Sequence, residues 1–407
     1  MKKLLTLLLA AGFAINLTSC GGEDPTNIQT QEELQQVAID AAVTALSTKV
    51  STDAAAVGVS AGTNFDWTLV KGAAQADRSQ TEVEVTTNID TDTQWTTNNV
   101  YILKGRITVL DGATLTIEAG TRIEGDETLT GVNAAVLMIA RGGKLMAEGT
   151  AANPIIMTST ADDGTKTAAD KGKWGGLVVL GKAPISAKTG AEAQIEGVPA
   201  SDTNGLYGGT SASDNSGTIK YVSIRHGGAV IDAAAGDEIN GLTLGGVGSG
   251  TTIAYVEVYA NSDDGIEFFG GSVDVDYAVV AQVGDDAIDI DQSYAGTVSN
   301  FLVIVDGDSD EGLEVDGREG ELDDTFTLRN GTIEAEGGAS ITCDFKAKAK
   351  GSVTNLNANG GTIKIAASFD TETLTQEEDA AKNVIDGELT FSSVNATFEL
   401  YTKSFEE

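Results

Sequence analysis

The residues with the most chemical potential lie between Asp263 and Asp316, where one phrase occurs as SDDGIEFF, GDDAIDIDQ and DGDSDEGLEVDG. Each version runs from a pair of acids through a small residue to an apolar–acid–apolar triplet. Aligned, Asp264, Asp286 and Glu311 share one slot, and Glu267, Asp289 and Glu314 share another. The second slot steps by 22 residues (267 to 289) and then by 25 (289 to 314), and Asp344, 30 further on, extends it. If those steps are rungs of a stack, equivalent carboxylates lie about 4.8 Å apart. Two charges at that spacing repel by roughly 1 kcal/mol in water and by several where solvent is partly excluded. A hard cation relieves such crowding, because Ca2+ takes about six to eight oxygen ligands. Asp264, Glu267, Asp286, Asp289, Glu311 and Glu314 are therefore the expected metal ligands, with Ca2+ as the cofactor. A solvated charged edge accounts for scattered acids but not for two aligned columns. Protonation with raised pKa, which a catalytic pair would need, is the other way to tolerate them.

What must position these acids is a second repeated phrase. It reads IKYVSI (219–224), IAYVEV (253–258), VDYAVV (275–280), VSNFLV (298–303), LRNGTI (328–333) and VTNLNA (353–358). Its third slot holds Tyr221, Tyr255, Tyr277, Asn300, Asn330 and Asn355, and from Tyr255 it steps by 22, 23 and 30 residues. Two columns with nearly the same irregular steps imply rungs on one axis, with insertions confined to turns. The phrases are short, β-branched and alternating, and Gly, Asn, Asp and Ser fill the gaps, so each predicts a strand followed by a turn. Parallel strands stacked in this way make a β-helix, and Asn at one turn slot fits an amide ladder. Further strands are expected at Ile107 to Val109, Leu115 to Ile117, Val136 to Ile139, Ile155 to Met157 and Leu177 to Leu180. A sandwich or propeller is the alternative, with antiparallel sheets that need not hold acid columns in step.

The DDGIE and DDAID phrases resemble repeats of right-handed parallel β-helix proteins of the pectin-lyase-like superfamily. Residues Asn99 to Val305 are similar to a family of β-helix lipoproteins from Bacteroidota and other Gram-negative bacteria. The likeness lies in VYILKGRITVLDGATLTIEAGTRI, ARGGKLMAEGTAANPI, WGGLVVLGKAPI, YVSIRHGGA and SDDGIEFFGG. It covers about half the chain and implies an all-β fold, a right-handed parallel β-helix, without implying an activity. Enzymes of the superfamily use acids on such a strand face, either as calcium ligands beside an Arg or Lys base or as the acid and base of a hydrolase. If the chain is an enzyme, that resemblance points to Asp286, Asp289 and Arg318, as a polysaccharide lyase or glycoside hydrolase. GDDAID resembles the polygalacturonase GDD segment, but the later Gly-His-Gly and Arg-x-Lys segments of that family are missing. Lys346 and Arg318 are the bases near the column, both poorly placed by spacing.

The start of the chain reads as a secretion signal over 1–19, with Lys2 and Lys3 before the apolar run Leu4 to Ile15. Leu17-Thr18-Ser19-Cys20 resembles a bacterial lipobox, which makes Cys20 the lipid-attachment residue. Residues 20–60 are then a lipidated tether, with helical residue types from Gln31 to Val50, serving as cap or stalk. Residues 61–100 are lead-in strands, and 101–407 the β-helix with a C-terminal cap. The expected location is the outer membrane, held by the lipid and facing the cell surface.

Charge and histidine content exclude much else. The net charge is −36, or −38 once Lys2 and Lys3 leave with the signal, which excludes nucleic acid as a partner. Gly176 to Lys182 nearly matches a phosphate-binding loop, but Ala183 and Pro184 follow where a hydroxyl residue and a helix are needed, so no nucleotide is expected. Asp306-x-Asp308-x-Asp310 opens like an EF-hand loop, but Glu311 replaces the sixth-position glycine; only the Asp triplet could contribute to calcium. His226 is the only histidine, so multi-histidine zinc sites are out, and its place in a turn predicts a hydrogen-bonding role. With Cys20 lipidated, Cys343 has no partner and is expected buried and inert. The reading is a calcium-dependent β-helix at the cell surface that presents a glycan or ligand face. An enzyme and an adhesive rod are the alternatives.

Overall fold

A computed structural model describes residues 67–68, 80–232, 238–366, 383–385 and 389–401. The tether, its expected helix, the lipobox and the end of the C-terminal segment lie outside the described residues. Two short 3-10 turns, Gly131–Asn133 and Thr203–Gly205, are the only helical elements among the described residues. The rest is strand and turn.

The strands wind into a right-handed parallel β-helix, the hand that parallel crossover connections take. Each rung passes through three faces. Sheet I begins with Arg106–Val109, Val136–Ile139 and Leu177–Leu180. Sheet II begins with Thr93–Trp95, Thr114–Ile117 and Lys144–Glu148. Sheet III begins with Thr81–Val85, Asn99–Leu103, Arg122–Gly125 and Ile155–Ser159. Among the described residues the coil begins at Thr81, a rung before the Tyr101 start expected from sequence, because Thr81–Val85 already pairs in register with Asn99–Leu103. Trp95, read as part of a polar lead-in, is buried and stacks on Tyr101 with ring centroids 4.6 Å apart.

From Gly217–Arg225 onward, sheets II and III share one bent strand per rung. The bend is the third slot of the repeated phrase. Tyr221, Tyr255, Tyr277, Asn300, Asn330 and Asn355 all have φ between 50° and 58°, a left-handed conformation that Asn tolerates better than most residues. Stacking holds the tyrosines there: Tyr221–Tyr255 and Tyr255–Tyr277 centroids lie 4.3 and 4.5 Å apart with nearly parallel rings. The expected amide ladder continues the column, with Asn330 Nδ2 donating to Asn300 Oδ1 at 3.3 Å and Asn355 Nδ2 to Asn330 Oδ1 at 2.9 Å.

Inward residues of all three faces form one continuous apolar core along the axis. The outward side of sheet I changes character along its length. One register column reads Thr108, Met138, Val178, Thr243, Glu267, Asp289, Glu314, Asp344 and Lys364. Its apolar members need a cover, and the excursion between Leu177–Leu180 and Gly217–Arg225 provides it. There Glu192–Gln194 pairs antiparallel with Leu206–Gly208, and Ile185, Ile195 and Tyr207 pack with Met138, Val178 and Phe269 in a second small core.

Candidate metal centre

The acidic phrase takes its form from the turn into sheet I. Its small residue is where the turn packs on sheet III: a Cβ at Gly265 would collide with Val280 and come within 2.5 Å of the Ala287 carbonyl oxygen. The apolar–acid–apolar triplet then alternates across the strand. Ile266 and Phe268, Ile288 and Ile290, and Leu313 and Val315 enter the core, while Glu267, Asp289 and Glu314 take the other face. Asp344 follows Glu314 in register, and Cys343 beside it is buried in the core as expected.

The first acidic slot has a second job. The Asp286 N–H donates to Asp264 Oδ1 at 2.9 Å, and the Glu311 N–H donates to Asp286 Oδ1 at 2.8 Å. Each of these aspartates therefore satisfies the backbone of the following rung with one oxygen. The six expected ligands fall into two clusters, Asp264–Glu267–Asp289 and Asp286–Glu311–Glu314, in each of which the ligand atoms lie within 4.8 Å of one another. Asp263, Asp264 and Asp285 form a third, more exposed group, which the alignment of slots did not single out.

Burial makes these clusters costly. Asp264, Glu267, Asp286, Asp289 and Glu311 are all less than a tenth exposed. Desolvation first, and neighbouring carboxylates second, hold Asp264, Glu267 and Asp289 well above the usual carboxylate range. The same causes push Asp286 up to about 9 and Glu311 to about 7. In the first cluster Asn240 donates its amide to Glu267, and also to Glu196 at 3.2 Å. Asp289 Oδ1 and Asn240 Oδ1 are buried without a hydrogen-bond partner. A buried acceptor left unsatisfied costs about 1–3 kcal/mol, and a cation beside it would supply the missing partner.

Spacing places both basic residues poorly, yet one of them reaches the acids. Lys346 enters the column, its ammonium contacting Glu314 and lying 3.4 Å from Asp344. It stands two residues after Asp344 in Thr342–Lys348, so strand alternation puts both on one face. Arg318 does not join the acids: its Nε is 4.0 Å from Asp323. The strand is irregular between Val315 and Gly317, which breaks the alternation that would have aimed it. Asp286 and Asp289, the other two residues of the enzyme reading, sit in different clusters. Asp306, Asp308 and Asp310 belong to neither cluster, and Asp308 pairs with Lys171 at 3.5 Å. His226 is buried, with Nδ1 3.0 Å from the Asp170 carbonyl oxygen, the hydrogen-bonding role expected of it.

Beside the acids lies a cleft of about 630 Å³, lined among others by Glu196, Tyr207, Phe269, Gln292 and Glu319. Glu196 connects it to the first cluster through Asn240. Sequence reasoning missed this cleft, because most of its wall comes from the excursion, which carries no repeat. A family model described as a pectate-lyase-like beta helix domain matches residues 86–406. No curated protein and no solved structure matches the chain.

Proposed function

Because the chain belongs to the pectate-lyase-like beta-helix family, we propose that it is a calcium-dependent β-helix module that binds a glycan or related ligand in the cleft beside its acidic column. The observation that carries this reading is the Asp264–Glu267–Asp289 cluster, buried, with an oxygen of Asp289 lacking any partner. Its ligands are all hard oxygens, and neither histidine nor cysteine is a member, which favours Ca2+ over zinc. Binding displaces the protons that burial holds on the acids, so the ion neutralises the cluster in their place. Glu196, which lines the cleft and reaches the cluster through Asn240, would let a bound ligand sense the loaded site. Melting in millimolar Ca2+ and then in chelator is the direct test. A rise of several degrees with Ca2+, lost in Asp289→Asn, is expected; identical curves, with no metal retained by the purified protein, would sink the reading.

Cys20 would carry the lipid that holds this module at the outer membrane, facing outward. Cys20→Ser should move the protein from the membrane to the soluble fraction, and unchanged partition would remove the anchor from the proposal. A second reading, a polysaccharide lyase or glycoside hydrolase, is favoured by the Asp286 carboxyl, pushed up to about 9 and so able to act as an acid at neutral pH. Turnover of a uronate polymer, lost in Asp286→Asn, would establish that reading over a binding role.

A further inference from the structure

The two clusters differ in one respect that bears on how many ions they take. The first, Asp264–Glu267–Asp289, contacts only neutral donors: the Asn240 amide and the Asp286 backbone N–H. No lysine or arginine is paired with its members among the described residues. The second, Asp286–Glu311–Glu314, has the Lys346 ammonium on Glu314. Unsatisfied oxygen follows the same division. Asp289 Oδ1 is buried and unpartnered, whereas no carboxylate oxygen of Asp286, Glu311 or Glu314 is.

We propose that Lys346 is a built-in cation of the column, occupying at Glu314 the place that a divalent ion takes at Asp264, Glu267 and Asp289, so that the protein holds one ion tightly where its two buried clusters suggest two. This rests on the cation reading above. The geometry gives the lysine a consistent place. Its ammonium sits between Glu314 and Asp344, successive members of one register column, and Lys364 takes the next position of that column after Asp344. Positive charge therefore takes over where the run of buried acids ends. An ammonium is a compact point charge with three donors and can bridge two carboxylates, but it cannot gather six or more oxygens as Ca2+ does. The second cluster is left partly neutralised, and a divalent ion there would have to displace the ammonium or tolerate its repulsion.

The test is ion stoichiometry of the full chain, by isothermal titration with Ca2+ and by metal analysis after gel filtration, for wild type, Lys346→Met and Lys350→Met. Lys350 pairs with Asp323 at 2.8 Å, away from the clusters, and controls for the change in net charge. One tight ion is expected in wild type and in Lys350→Met. Two are expected in Lys346→Met, the second at least ten-fold tighter than any second ion in wild type. Should Lys346→Met fold only with Ca2+ present, the Glu314→Gln/Lys346→Met double variant removes the unpaired charge and should return to one ion. Two equal ions in wild type, or one ion of unchanged affinity in Lys346→Met, would overturn the proposal. No ion in wild type but one in Lys346→Met would refute the first cluster as a metal site while upholding the role of the lysine; one ion in both would do the reverse.

Discussion

Asp289 shows most directly what burial does to an acid in this fold. It is about 8% exposed, one of its oxygens has no partner, and Asp264 and Glu267 crowd it. Without a cation its buried carboxyl must take up a proton on folding at neutral pH, and one of its oxygens stays an unsatisfied acceptor. Asp289→Asn should therefore raise stability in chelator by about 1–3 kcal/mol while abolishing stabilisation by Ca2+. Chemical denaturation in both conditions measures this, and a variant less stable than wild type in chelator would contradict it. The pH dependence has a definite sign. Asp286 at about 9 and Glu311 at about 7 lie above their ordinary values, so the folded chain binds more protons than the unfolded one over roughly pH 4 to 9. In chelator their contribution is full at low pH and is lost as pH rises through that window, so the melting temperature should fall between pH 5 and 9. His226 acts in the opposite direction. Burial first, then Arg225, lowers it to about 4, so its contribution is lost as pH falls from about 6.5 towards 4. With Ca2+ the alkaline loss should shrink or reverse if an ion binds the deprotonated acids as proposed. A melting temperature in chelator that climbs from pH 6 to 9 would refute this account.

At the scale of the element, the bend between sheets II and III is the feature that sequence displayed best. A polar or aromatic residue recurring at irregular steps within a β-branched phrase was sufficient to predict a stacked column, and Asn300, Asn330 and Asn355 form it. Asn330 both donates to and accepts from its neighbours at φ 55°. Asn330→Ala should cost about 2–4 kcal/mol, from two hydrogen bonds at about 1 kcal/mol each plus the left-handed backbone. Asn330→Gly should cost about 1 kcal/mol less than Ala, since glycine enters that region freely. Equal losses in urea denaturation would show that the ladder, rather than the backbone, sets the cost. The acidic slots were legible for the same reason, since a parallel stack turns sequence period into vertical register. Lys346 was legible in principle, two residues from Asp344 on one strand, but steps of 25 and 30 residues obscured its neighbours on the adjoining rung. Arg318, poorly placed by spacing, stays apart from the acids, and an irregularity between Val315 and Gly317 changes which face follows. The excursion over sheet I was not legible at all. Its apolar residues answer Met138 and Val178 through tertiary packing that no local period records.

For the whole molecule, the consequence of stacking is that stability is local. Each rung touches mainly its neighbours, so a solenoid behaves as a row of coupled units. In the outward column of sheet I the buried acids occupy the rungs from Glu267 to Asp344, while the rungs from Thr81 to Leu180 present apolar or neutral residues at that position. A cation at Asp264, Glu267 and Asp289 should therefore protect one part of the rod. At 100 times its dissociation constant an ion adds about 2.7 kcal/mol to whatever opening releases it, or about 100-fold slower exchange. Amides in Ile266–Phe269, Ile288–Asp291 and Leu313–Gly317 should slow by up to that factor when Ca2+ replaces chelator. Those in Asn99–Leu103 and Arg122–Gly125 should change by less than about two-fold. Because the chain carries −36, a general screening effect must be removed by holding ionic strength constant with a monovalent salt. Screening acts on the surface charge of every rung, whereas a bound ion acts on the rungs that hold it. Hydrogen exchange followed by mass spectrometry distinguishes the two, and uniform protection from Thr81 to Lys348 would show that Ca2+ acts on the charge of the rod and not in the column.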